Sequence, residues 1–296
     1  MPTPRLASAV VSLAVAAGVL GSGAVSAQAA TATDPVANVS LPVDYWPACW
    51  PATASAECRD AVLADIDYAR SLEGVGPMVL PAGFDALDPA TQTFVVTNLE
   101  RADRGLRPIA GVTAELSATA QSAAAALVDP QFTGTTVGPL AGTWWTAVWA
   151  NTPNALVADL LWMYGDGWDG TSTTNVDCTA ADSAGCWGHR DNILNTYAGA
   201  TQLVAGVGAS ATWGQSVAEL VVGGSGELPP LTYTWGQALT DGAGGTADLA
   251  AWQAMTAPAT AAAAATTTTV KPAAHHHRKH KRKHHHRRRH LRRVSL

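Results

Sequence analysis

Cys186-Trp187-Gly188-His189-Arg190-Asp191-Asn192-Ile193-Leu194 contains the one histidine that precedes the C-terminal tail. The other eight histidines fall between His275 and His290, interleaved with Lys and Arg, and no lysine precedes Lys271. A region with one imidazole and no amine side chain has few means of general acid–base catalysis or His-ligated metal chemistry. A binding or structural role is therefore expected ahead of an enzymatic one.

Downstream of that stretch, Gly206 and Gly208 alternate with Val207, a pattern that predicts close backbone approach within a sheet. Three strand-like runs cover 203–209, 217–222 and 231–235, after a short helix at 190–195. Upstream the pattern is helical. From Ala56, the apolar residues Val62, Ile66 and Ala69 recur at helical spacing until Gly74 and Gly76. Asp88 at the N-cap, Pro89 at the first helical position and Gly105 past the end frame a second helix. In it Val95, Leu99 and Ala102 form the apolar stripe, and Glu100 and Arg104 stand as an i,i+4 pair. A third helix is expected over 113–128, with Leu116, Ala120, Ala123 and Leu127 on one face. A fourth, apolar on more than one face, starts at Thr152-Pro153 and ends at Gly165. Helices first and strands later predict an α+β fold, with helices packed on an antiparallel sheet.

Several of these segments together resemble a known family. Asn98-Leu-Glu-Arg101, Gly105-Leu-Arg-Pro-Ile109 and the Leu116…Ala120-Gln121…Ala124 helix resemble the opening of a bacterial CAP domain. That superfamily comprises cysteine-rich secretory proteins, antigen 5 and pathogenesis-related proteins. Gly188-His189-Arg190-Asp191-Asn192-Ile193-Leu194 looks like the family's G-H-R-x-N-I-L segment, and Gly206–Gly208 and the 217–222 run resemble the strands that follow it. The resemblance covers residues 90–225 and implies a three-layer α-β-α sandwich. It also implies a cleft in which two histidines and two acidic residues hold a divalent metal. This chain keeps at most one of those histidines, His189. Residues 122–188 contain no histidine, and Trp144 to Ala150 stands where the family carries a Gly-Glu-Asn type segment. The metal site is accordingly expected to be lost or weak, with His189 its one remaining ligand and no cofactor required.

The ends of the chain differ sharply from its body. Arg5, an apolar run over 6–20 and Ala27-Gln28-Ala29 read as a signal peptide over residues 1–30. The apolar run is shorter than the ~20 residues a membrane span needs. Export permits disulfides. Four cysteines allow three pairings, and the simplest is local, Cys49 with Cys58 and Cys178 with Cys186. Each such closure would contribute roughly 2–3 kcal/mol. Neither couple has zinc-finger spacing. After the signal, residues 31–87 form an N-terminal helical extension, 88–240 the CAP-like domain, and 241–274 a Gly/Ala/Thr-rich linker. The stretch 275–296 is read as a disordered His/Arg/Lys-rich tail. The body carries six arginines against all 23 acids, a net −17, whereas the stretch from Lys271 carries +11. An acidic body argues against specific nucleic-acid binding by the fold.

These readings predict a secreted, extracellular protein associated with the cell wall. Its tail is expected to bind anionic cell-wall polymer or phospholipid headgroups, and the tail histidines to take up divalent metal weakly. The expected binding cleft comprises His189, Asp191, Asn192, Trp187 and Trp149. It lies within a tryptophan-rich region that also includes Trp144, Trp145, Trp162 and Trp168, and it would suit a small lipid or glycan. The competing expectation is an exported hydrolase or metal-dependent enzyme using a divergent cleft around His189. Gly165-Asp-Gly-Trp-Asp-Gly170 lacks the spacing and terminal Glu of an EF-hand and reads as a turn. The oligomeric state is not legible in the sequence.

Overall fold

Residues 34–50, 53–165, 178, 186–211 and 215–257 are described by a computed structural model. The expected signal peptide, Trp168 with the rest of the turn after Gly165, and the basic tail lie outside the described residues. The expectations that rest on them are carried by sequence alone.

In chain order the elements are α1 (Trp46–Cys49), α2 (Ala56–Leu72), a 3-10 turn (Phe84–Ala86), α3 (Pro89–Ala102), β1 (Gly111–Val112), α4 (Ala114–Ala126) and β2 (Thr136–Val137). There follow β3 (Leu140–Thr152), α5 (Ala155–Tyr164), α6 (Gly188–Ile193), β4 (Gln202–Ser210), β5 (Gln215–Gly226), β6 (Tyr233–Thr234), α7 (Trp235–Thr240) and α8 (Thr246–Thr256). The helices begin where side chains satisfy their free N–H groups. Ser55 accepts from Cys58, Asp88 from Ala90 and Thr91, Thr113 from Leu116, and Asn154 from Val157. Both cysteine couples close locally, as Cys49–Cys58 and Cys178–Cys186.

The fold is α+β, with one six-stranded mixed sheet in the order β2-β3-β5-β4-β1-β6. β3, β5 and β4 form its antiparallel centre, and β1 joins β4 in parallel. Alternate residues of the central strands serve opposite faces. On one face Val204, Leu220 and Val222 cluster with Leu116 of α4, and Ala218 with Ala120 and Ala124. On the other, Leu203, Ala205, Val207, Val217 and Val221 join the large core that includes residues of α2, α3, α5 and α6. Helices thus cover both faces.

The two glycines of β4 set how closely α4 lies on the sheet. A Cβ at Gly206 would stand 2.0 Å from the backbone carbonyl carbon of Leu116, and one at Gly208 would stand 2.2 Å from the backbone nitrogen of Gln121. The Gln121 side chain completes the contact by donating to the Ala209 carbonyl and accepting from its N–H.

The longest strand is absent from the sequence-based reading. β3 spans 13 residues, Leu-Ala-Gly-Thr-Trp-Trp-Thr-Ala-Val-Trp-Ala-Asn-Thr. Its small residues and adjacent tryptophans give no apolar–polar alternation, because large side chains fall on both faces. Conversely, the run expected as a strand over 231–235 pairs only at Tyr233–Thr234, and Trp235 opens α7. The fourth helix is capped by Asn154 rather than beginning at Thr152-Pro153, and Thr152 ends β3. α8 occupies part of the stretch expected as linker. α2, in the expected N-terminal extension, contributes Val62, Ile66 and Ala69 to the same core as α3 and α5.

Gly206→Ala and Gly208→Ala should each lower the unfolding free energy by about 3 kcal/mol or more, since the clash is with helix backbone rather than a yielding side chain. Gly76→Ala, with open space around its Cβ, should change it by less than about 0.5 kcal/mol. Urea denaturation midpoints of the three variants check this.

Candidate functional site

α6 carries the Gly188–Ile193 motif, and its side chains divide into those that build the fold and those that face outward. Trp187, at its N-cap, is wholly buried with φ of 63°, a left-handed conformation unusual for a bulky residue. Its indole Nε1 has no hydrogen-bond partner among the described residues. Arg190 is also buried. It donates to the Met163 carbonyl at 2.9 Å and to Glu73 Oε2 at 2.9 Å, and lies 3.7 Å from Asp34. Asn192 Nδ2 donates to the Ala147 carbonyl at 2.9 Å, and its own carbonyl accepts from the Thr146 hydroxyl. β2 pairs only with Leu140 and Ala141, so the rest of that β3 edge needs other partners. Asn192 supplies one, and Trp162 Nε1 supplies another by donating to the Trp149 carbonyl at 3.2 Å.

His189 is half-buried and lies over Trp162, with ring centroids 6.2 Å apart and an interplanar angle of 28°. Desolvation raises the carboxyl of Asp129, just after α4, and the nearby His189 opposes that shift. Trp149 donates through Nε1 to Ser216 Oγ at 2.8 Å, and Ser216 in turn donates to the Ala124 carbonyl. Asp191 is exposed on the outer side of α6. His189, Trp149 and Trp162 thus gather at the β3 edge, Asn192 is used as an edge clamp, and Trp187 belongs to the core. Among the described residues no group of three or more His, Cys, Asp or Glu is arranged to hold a metal ion. Two shallow cavities of 150 and 180 Å³ lie elsewhere, and His189 lines neither.

Behind α6 stands a buried ion cluster that the sequence reading did not find. Glu100 of α3 is wholly buried, with Arg70 of α2 3.1 Å from Oε1 and Arg104 in close contact with Oε2. The Tyr164 hydroxyl lies 3.2 Å from both Glu100 oxygens. Burial raises the Glu100 carboxyl, but Arg104 and Arg70 outweigh it and hold the group below its usual range. Arg104 and Arg190 share Glu73 Oε2, each at 2.9 Å, and Arg70 also contacts Asp103. Asp159 of α5 is buried beside this cluster. Burial first, and the Glu100 charge second, push its carboxyl well above the ordinary range. One signal was available: the body has few arginines, and the structure buries four of them, Arg70, Arg101, Arg104 and Arg190.

A further buried acid is Glu219 in the middle of β5, which sits opposite Val148 and Val207. Burial pushes it up to about 8, against the opposing effects of a Thr97 hydrogen bond and Arg101. The folded state therefore holds a proton there that the unfolded chain releases near its ordinary pKa of 4.5. Below 4.5 both states hold the proton and the stabilising contribution is complete. It declines as pH rises from that value and is lost by about 8. Glu219→Gln should therefore flatten the fall in melting temperature between pH 5 and pH 8, as followed by circular dichroism. An unchanged slope would show that Glu219 is ionised throughout. No family model and no curated protein matches this chain, so what the site does rests on these side chains and their neighbours.

Proposed function

We propose that this chain is an exported CAP-like binding module of the cell envelope, with a three-layer α-β-α sandwich and a polycationic arm over 275–296. The observation that carries the reading is a contact between the two segments that bear the family resemblance. Arg101, from Asn98-Leu-Glu-Arg101, is buried and donates through Nη1 to the carbonyls of Ile193 and Asn195, at the end of the Gly188–Ile193 helix. Its Nε and Nη2 donate to the Arg107 carbonyl, which tethers the Gly105-Leu-Arg-Pro-Ile109 piece to the same guanidinium. Asn98 joins that piece too, donating to the Ile109 carbonyl and accepting from its N–H. Residues of a shared motif that bond to one another in this way support a common architecture.

The roles of Arg101, Arg190 and Asn192 favour binding over catalysis, because the motif's polar atoms are spent on holding helices and a sheet edge. Half-buried His189 and Trp149 at the β3 edge would then offer a small lipid or glycan an imidazole and an indole, with the buried Trp162 ring supporting His189 from behind. The two disulfides fit an oxidising compartment. In the arm, ten Lys/Arg give a constant charge, and eight histidines with a pKa of about 6.5 add to it in mildly acid surroundings. Anionic wall polymers or phospholipid headgroups are the partners this chemistry favours.

Retention on anionic liposomes or purified cell wall, compared at pH 5.5 and 7.5, tests the arm. The full chain should be held more strongly at pH 5.5 and be released by salt, whereas a chain ending at Met255 should wash through at both. Equal retention of the two chains would remove the arm from the function.

A further inference from the structure

Two large indoles stand exposed where the fold has every means to bury them. Trp46 is 52% and Trp50 57% exposed, yet their rings are ordered against each other, 5.9 Å apart and within 3° of parallel. Their support is rigid. Trp46 opens α1 and Trp50 caps its end; the helix carries Pro47, and its Cys49 is buried and bonded to Cys58 of α2. Tryptophans stacked on each other in this way hold their outward apolar faces and edges in place, with N–H groups at the margin.

A groove is lined by Thr53, Ala54 and Ser55, a few residues after this pair. The cavities of 180 and 150 Å³ share Arg59, Phe84 and Asp85 and so continue into each other across the Arg59–Asp85 ion pair. The smaller one is lined by Thr53, Ser55, Gln92, Asn154 and Gln215, among others. Ser55 Oγ reaches the Ala48 carbonyl, and Asn154 Nδ2 binds the Thr53 carbonyl and Cys58 Sγ, so the groove wall and α1 are tied together. Gln215 Oε1 is buried there and has no hydrogen-bond partner among the described residues. An unmet carbonyl acceptor, side-chain amides and hydroxyls, an aromatic floor and an indole pair on the helix tied to its wall suit a ligand that has apolar ring faces and many hydroxyl donors.

Charge decides between the ligands that meet that description. Asp44, Asp60 and Asp85 surround the region, and Arg59 is bridged to Asp60 and Asp85. No lysine occurs anywhere before Lys271. Anionic lipid surfaces and acidic polymers, which need free cations, are disfavoured, while sugar hydroxyls donate readily to carboxylates. We propose that Trp46, Trp50 and this groove form a binding site for a neutral polysaccharide. His189 does not line this groove.

The full chain is tested for co-sedimentation with chitin and with cellulose, and by tryptophan fluorescence titration with chitohexaose and cellohexaose, at high salt to silence the arm. At least one of these glycans should bind. Trp46→Ala and Trp50→Ala should each weaken that binding about tenfold, the effect of roughly 1.4 kcal/mol from one lost stacking surface. Gln215→Leu should weaken it severalfold. Trp144→Ala, which removes an equally exposed indole on β3, should leave it unchanged. Failure of all four probes to bind, or binding that survives loss of both Trp46 and Trp50, would overturn the proposal. So would capture by neutral phosphatidylcholine vesicles in place of the glycans, since the platform would then be a membrane contact.

Discussion

The carboxylate of Glu100, enclosed between the guanidiniums of Arg70 and Arg104, is the constraint that the helical side of this protein depends on. A charge taken out of water at that depth costs several kcal/mol unless paired and hydrogen-bonded. The compensation comes from three directions: Arg70 from α2, Arg104 from the turn that follows α3, and the Tyr164 hydroxyl from α5. Glu73 then links Arg104 to Arg190, and so joins α6 to the same cluster. Removing any one guanidinium would strand a buried carboxylate, a loss on the order of 3–5 kcal/mol. An apolar packing of the same volume would hold these helices as well, or better. What the ions add is geometry, because a bidentate guanidinium fixes direction as well as distance.

That geometry explains why the Gly188–Ile193 motif reads as architecture. Arg190 and Arg101 both reach around α6, the first to Glu73 and the Met163 carbonyl, the second to the Ile193 and Asn195 carbonyls. Asn192 then lays the helix along the open edge of β3. His189 is left half-buried over the Trp162 indole, and Asp191 beside it is exposed.

Much of this was legible in the sequence where local chemistry decides the conformation. The Asp88-Pro89 start of α3 and the two β4 glycines each have one strong physical reading, and the structure agrees with it. β3 was not legible, since alanines, a glycine and paired tryptophans produce no period-two pattern, and its place is set by pairing with β5 across 12 residue pairs. The ion cluster was hidden for a related reason. Glu100 and Arg104 look alike as an exposed or a buried i,i+4 pair, and only the arrival of Arg70 from 30 residues earlier distinguishes the two. The Trp46–Trp50 pair lies far in sequence from the tryptophans around the single body histidine. The signal was there in the i,i+4 spacing beside a cysteine.

It follows that residues 34–87 are part of the core rather than an appendage to it. The most direct measurement is the thermal and urea unfolding of a chain spanning residues 88–257, which keeps the Cys178–Cys186 couple but lacks Arg70 and Glu73. The cluster then has one cation for Glu100 where it needs two, and Arg190 loses its carboxylate partner. The expected result is a chain without a cooperative transition and without the near-ultraviolet circular dichroism of packed tryptophans. A cooperative melt with that tryptophan signal intact would contradict the account.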